Sequence, residues 1–250
     1  QTGLAVAIAA GAFAAHSVYA GERAAIVSEQ RSVGAFRAIE LHGPYDVVIR
    51  AQGRHSLSMT GEAKELAKVQ AFVSGDTLVV RPIKQRGFTF TVGKERESVK
   101  IHITTAMLAK LKMAGSGDVE LDQLSADTFS LSLAGPGDLN ANGAVRELVI
   151  EATGSGAADL HRVRAVVARV DMNGPGDVSL ADISGELQAA VGGAGDLTVE
   201  RLRATGVTTK MHGPGSVRLD GTSRALRAQV SGSGDLDACG LAVESASAVM

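Results

Sequence analysis

The sequence predicts an all-β protein, a parallel β-helix or solenoid whose coils are marked by a recurring corner. Three observations predict it. A Gly-x-Gly-Asp tetrapeptide returns every 19–20 residues, apolar residues alternate with polar ones on either side of it, and glycine is abundant while aromatics are scarce. A fixed period of this length is what stacked supersecondary units write into a chain.

The corners are Gly115-Ser-Gly-Asp118, Gly135-Pro-Gly-Asp138, Gly154-Ser-Gly-Ala157, Gly174-Pro-Gly-Asp177, Gly193-Ala-Gly-Asp196, Gly213-Pro-Gly-Ser216 and Gly232-Ser-Gly-Asp235. Their first glycines lie 20, 19, 20, 19, 20 and 19 residues apart, and the second residue alternates between Ser or Ala and Pro. The sequence therefore carries a 39-residue double repeat with two unequal halves. Glycine supplies 30 of the 250 residues, against a usual share of about 7%. With no Gly-X-Y period, this reads as many tight corners with positive φ.

The segments between corners read as strands with one buried face. Val119, Ala158, Leu197 and Leu236 share a column after the Ser/Ala-type corner, as do Leu121, Leu160, Val199 and Ala238, and then Leu124, Val163, Leu202 and Leu241. Before the Pro-type corner, Leu131, Val170 and Thr209 alternate with Leu133, Met172 and Met211. Leu148, Leu187 and Leu226 fall in register in the other half, as do Ala152, Val191 and Val230. Parallel stacking would lay like on like about 4.8 Å apart and join these faces into one core. A full coil could take about 20 residues or 39. The strict Pro/Ser alternation slightly favours 39, because Pro corners would then stack on Pro corners.

Three regions follow: residues 1–20, an irregular β-rich part and cap at 21–112, and the regular solenoid at 113–250. In the middle region Phe36–Leu41, Tyr45–Arg50, Thr77–Arg81 and Ser98–Ile103 read as strands, and Glu62–Val69 as a short helix. His42-Gly-Pro-Tyr-Asp46 echoes the Pro-type corner at His212-Gly-Pro-Gly-Ser216, so this region is expected to be a degenerate start of the same solenoid.

Residues 1–20 read as the remainder of a secretory signal peptide, with an apolar run from Leu4 to Ala15 and a small-x-small site at Val18-Tyr19-Ala20. That run is too short to span a bilayer. No second long apolar segment follows, so no membrane span is expected in the mature chain. A formal charge of −2 makes no electrostatic case for nucleic acid or an anionic membrane. Aromatics at 3% offer few stacking platforms. Cys239 is the only cysteine, which excludes an intramolecular disulfide, and its column with Asp122, His161 and Glu200 suggests exposure.

Tandem Gly-Ser-Gly-Asp corners about 20 residues apart, preceded by the Phe36-to-Ile49 segment with Ile39, Leu41, Gly43, Tyr45, Asp46, Val47 and Val48 in place, resemble a bacterial family. It is the putative auto-transporter adhesin head, or GIN, domain family. The resemblance covers about residues 33–245. It implies a right-handed parallel β-helix on an exported protein of the periplasm, cell envelope or exterior, and assigns no activity. Ala157 and Ser216 depart from the corner pattern by lacking its Asp.

The candidate metal-ligating residues are the corner aspartates Asp118, Asp138, Asp177, Asp196 and Asp235, which at coil spacing would repel one another and could share cations. Turn chemistry is the favoured reading, with glycine giving positive φ and the carboxylates accepting backbone N–H groups. No cofactor is expected and no enzyme is predicted. The six histidines are scattered, without H-E-x-x-H spacing, and neither a G-x-S-x-G elbow nor a phosphate loop is present.

The expected function is an adhesin-like interaction or structural module binding an envelope protein or glycan through a broad face. A polysaccharide-acting β-helix enzyme and a Ca²⁺-stabilised solenoid are the alternatives. The last coil runs to Met250 with no following cap, so self-association as a homo-oligomer through that edge is also expected.

Overall fold

Each coil takes 19 or 20 residues, and the coils stack in parallel. The computed structural model describes residues 25–83 and 99–249. The export signal expected at 1–20 lies outside them, as does Met250. Among the described residues seventeen strands form one continuous hydrogen-bonded array. In chain order they are β1 (Ile26–Arg31), β2 (Ala38–Leu41), β3 (Asp46–Arg50), β4 (Ser56–Glu62), β5 (Val69–Ser74), β6 (Thr77–Pro82), β7 (Lys100–Thr104), β8 (Lys110–Met113) and β9 (Val119–Leu133). Then follow β10 (Leu139–Ala152), β11 (Ala158–Met172), β12 (Val178–Ala181), β13 (Ile183–Val191), β14 (Leu197–Ala204), β15 (Gly206–Met211), β16 (Ser216–Val230) and β17 (Asp235–Val249). A single helical turn, α1 (Ala63–Leu66), separates β4 from β5. The expected helix to Val69 is cut short because Val69 is buried and opens β5, which pairs antiparallel with β6.

The register decides between the two coil lengths. Leu139 of β10 lies between Val119 of β9 and Ala158 of β11, offsets of 20 and 19 residues. Pro corners therefore stack on Ser corners, contrary to the like-on-like arrangement that the alternation favours. The double repeat has another origin. Between β9 and β10 the offset is 20 at Leu121↔Ala141 but 19 at Leu124↔Gly143. Ser/Ala-type coils thus carry one extra residue at a second corner, where Gln123 and Arg201 turn with φ of 60° and 51°. Pro-type coils make the same turn with Gly143, Asp182 or Gly221, at φ of 147°, 56° and 127°.

The reason for glycine at the Gly-x-Gly corners differs from the expected one. Of the two glycines in each of the seven corners, only Gly232 has a left-handed φ, 128°. The others are required because the coils approach closely. A Cβ on Gly135 would sit 2.1 Å from the Gly115 carbonyl oxygen, and one on Gly137 would sit 2.2 Å from that of Gly117. The same contact recurs up the stack, so no side chain fits between one corner and the next.

The core is a set of apolar columns inside the coils. Phe129, Leu148, Ala168, Leu187, Val207 and Leu226 stack in register and are all buried. Beside them run Leu131, Ile150, Val170, Ala189, Thr209 and Ala228. At the N-terminal end the corner at Gly43 stacks on the corner at Gly115, with the Ser116 N–H donating to the Gly43 carbonyl at 3.1 Å. β2 and β3 pair in parallel with β8 and β9 on one side and with β6 and β7 on the other. β5 closes on β6, β4 on β7 and β1 on β4, all antiparallel, so the parallel stack ends there in reversed strands.

Candidate functional site

The corner aspartates act on backbone. Asp118, Asp138, Asp177, Asp196 and Asp235 are all exposed in one column. Asp118 Oδ1 accepts the N–H of Asp138 at 3.1 Å, Asp138 Oδ1 that of Ala157 at 2.8 Å, and Asp177 Oδ1 that of Asp196 at 2.9 Å. Asp196 Oδ1 accepts both the N–H and the hydroxyl of Ser216, at 3.1 and 2.6 Å. Four of the five carboxylates, those of Asp118, Asp138, Asp177 and Asp196, therefore reach the equivalent residue of the next coil. Where Ser216 leaves no carboxylate, the Asp235 N–H turns to the Gly215 carbonyl instead. Among the described residues no group of three His, Cys, Asp or Glu side chains is placed to hold a metal ion.

Outward from this column lies an open groove of about 480 Å³, lined by Asp118, Glu120, Asp138, Asn140, Asp159 and Arg162 among others. It is acidic, with Arg162 at its margin donating to Asn140 Oδ1 at 2.5 Å. The histidines among the described residues do not converge. His42 meets Glu40, His55 meets Thr105, His161 meets Asp159, and His212 meets the Ser231 hydroxyl. Cys239 is exposed at the second corner.

The densest charged cluster is at that second corner. Asp182 turns with φ 56° between β12 and β13, which places its carboxylate between two coils. It accepts from Arg201 at 3.1 Å and pairs with Arg203 at 3.4 Å. Arg201 holds the Asp182 carboxyl below its ordinary range, with Arg203 and Arg164 adding to the effect. The Arg201 guanidinium also donates to the His161 carbonyl at 3.0 Å and stands 3.6 Å from Glu200. The Asp159 carboxyl is held low chiefly by the N–H of His161.

Residues 35–199 and 165–250 match the family described as "Putative auto-transporter adhesin, head GIN domain". The chain belongs to that family. The GIN fold is also that of a putative adhesin from Bacteroides fragilis, with a TM-score of 0.66 at 18% identity over 90% of this chain and 97% of that one. A putative lipid binding protein from Parabacteroides distasonis gives a TM-score of 0.71 at 16% identity, covering 88% and 92% of the two chains. A putative adhesin from Parabacteroides merdae gives 0.66 at 16% identity, covering 90% and 96%. At these identities the likeness is one of fold. No curated protein matches the sequence.

Sequence reasoning on this GIN chain singles out the corner aspartates, and the arginine pairs Arg162/Arg164 and Arg201/Arg203 lie outside that motif. It misses Asp182, which lies outside the Gly-x-Gly-Asp motif. The available signal is the 39-residue spacing of the two arginine pairs, which puts them two coils apart on either side of Asp182. No helix among the described residues is long and apolar enough to cross a membrane.

Proposed function

We propose that this GIN-domain chain is an exported, adhesin-like interaction module of the bacterial cell envelope, without enzymatic activity, that holds a protein or glycan against a broad solenoid face. The observation that carries this reading is the stack itself. Seven Gly-x-Gly corners in register hold outward-facing side chains in continuous rows along the axis, a surface suited to an extended partner. The family description and the adhesin designation of two structural neighbours support the same reading. Affinity capture from an envelope extract on the immobilised protein tests it. A saturable protein or glycan species is expected, and capture of nothing above a blank resin overturns it. Fractionation of the source cells should find the full-length protein outside the cytoplasm.

A second reading, self-association, rests on β17. Among the described residues β17 pairs only with β16, and most of its side chains are exposed where earlier coils bury theirs. A strand edge left unpaired among the described residues is a template for another strand.

A further inference from the structure

The last described coil differs from the one beneath it in how its inward-facing residues are spaced. By register with β16, the inward positions of β17 are Leu236, Ala238, Leu241, Val243, Ala246 and Ala248. They lie 2, 3, 2, 3 and 2 residues apart, a pattern that reads the same in both directions about Ala242. The equivalent positions of β16, from Val217 through Gly221 to Ala228, lie 2, 2, 2, 3 and 2 apart and do not. The difference is the extra second-corner residue of a Ser/Ala-type coil, which appears as the register shift between Arg218 and Asp220.

Backbone polarity follows the same positions. In earlier coils an inward residue donates its N–H to the next coil: Ala158 to the Asp177 carbonyl at 2.8 Å, and Ala165 to that of Asp182 at 3.3 Å. Leu236 and Val243 occupy those two positions in β17, so their N–H groups turn to the edge that is unpaired among the described residues. The outward-facing Asp235 donates the other way, to the Gly215 carbonyl at 3.3 Å. The residues that face inward are therefore those that offer N–H and C=O groups at the edge. Antiparallel strands exchange hydrogen bonds only where both residues of a pair point at each other.

From this edge we propose that β17 pairs antiparallel with β17 of a second copy, with Ala242 of each chain on the two-fold axis. The inference deepens the self-association reading and rests on it. In this register Leu236 meets Ala248, Ala238 meets Ala246 and Leu241 meets Val243, so every inward side chain faces an inward one. The core columns then run on from one solenoid into the other. A slip of one residue sets every inward position against an outward one, and a slip of two breaks the match at the corners. Charge agrees with the register. β17 carries Asp235, Asp237 and Glu244 and no cation, and they face Val249, Ser247 and Gly240, so no carboxylate opposes another. Asp237, 3.1 Å from Arg218 of its own chain, shares its column with Arg227 of the second copy, which lies behind Ser247. Head-to-tail stacking is closed off, because the parallel stack finishes in the reversed strands β1, β4 and β5 at its other end.

Cysteine cross-linking, read beside light scattering, tests this register. Ala242 lies opposite its own copy in a non-hydrogen-bonded pair, where Cα atoms stand about 4.5 Å apart and a disulfide can form. Cys239→Ser/Ala242→Cys should therefore shift to a covalent dimer when oxidised with diamide. Ser245→Cys should do the same, because its thiol faces the native Cys239 of the second copy. The parent and Cys239→Ser/Ser245→Cys should stay uncross-linked, since like positions then lie on opposite sides of the axis, beyond the Cα limit of about 7 Å. Ala242 and Ser245 are exposed, and unchanged melting temperatures of the reduced variants show that they are folded. Dimer in light scattering with a cross-link through Cys239 alone, or with none in Cys239→Ser/Ala242→Cys, overturns this register and leaves self-association standing. Monomer at every concentration, with no cross-link in any variant, overturns both.

Discussion

The Asp138 carboxylate accepts the backbone N–H of Ala157, one coil further on, at 2.8 Å. This bond defines what the corner aspartates do, and it separates turn chemistry from cation binding. An amide oxygen can accept the same N–H, so Asp138→Asn should change stability little, while Asp138→Ala should cost about 1 kcal/mol. If the column instead held Ca²⁺, Asp138→Asn would be the damaging change and chelator would lower the melting temperature. Thermal melts of the three proteins with Ca²⁺ and with chelator decide it. The expected result is insensitivity to both additions.

The corner glycines give a sharper contrast. A Cβ on Gly156 would lie 2.1 Å from the Gly137 carbonyl oxygen, whereas one on Gly206 would meet nothing within 4 Å. Gly156→Ala must push two coils apart and should cost about 3 kcal/mol or more. Gly206→Ala should be neutral or stabilising by about 0.5 kcal/mol, through the less flexible unfolded chain. Denaturant unfolding of both variants measures the difference. Similar losses would mean that the corner glycines serve backbone conformation and not coil approach.

The fold was legible because its period is printed in the corners, and because columns such as Leu148, Leu187 and Leu226 occupy buried positions of the stack. The coil length was less so. Pro136 sits between the Ser116 and Ser155 corners, and what distinguishes alternate coils is the extra residue around Gln123, a corner with no recurrent residue type to announce it. The reversed strands β4 and β5 lie in non-repeating sequence, where only their partners determine register. The aspartate column was legible as to its chemistry but not its direction, since the accepted N–H groups belong to the next coil. Asp182 was hidden because its arginine partners lie on other coils, 19 and 21 residues away.

Acid should loosen the second corner. Asp182 is held below the ordinary aspartate value of 3.8 by the Arg201 hydrogen bond first, and Asp159 below the same value by the His161 N–H. A depressed folded-state pKa gives stability that is fully present above the unfolded value, near pH 4, and lost as pH falls through the folded value. The melting temperature should therefore decline below about pH 4, and Asp182→Asn should decline less steeply. Both groups are near solvent, so the slope should be small and should shrink further in salt. A parallel decline in parent and variant would show that Asp182 contributes nothing to it.

Thr209 is the one buried side-chain hydroxyl among the described residues with no hydrogen-bond partner. It occupies a core column between Ala189 and Ala228, where the rest of the column is apolar. Thr209→Val keeps the shape and removes an unsatisfied polar atom, so it should stabilise the protein by about 1 kcal/mol. Urea unfolding with an unchanged m-value checks it, and a destabilised variant would mean that the hydroxyl finds a partner in solution.

The edge of β17 that is unpaired among the described residues makes the last prediction. In the columns of Leu226 and Ala228 the last described coil places Ala246 and Ala248, and both are exposed, as is Val249 at 63%. Ten or more of the 15 residues of β17 are exposed, and among the described residues its second edge is unpaired. A second copy could pair there edge to edge, covering the same surface on both partners. Light scattering over a concentration series should show dimer at high concentration, and a Pro at Ala246, which lies in the β17 ladder, should return the protein to monomer. Only monomer throughout the series would show that this edge is left open or is covered by something other than a second copy.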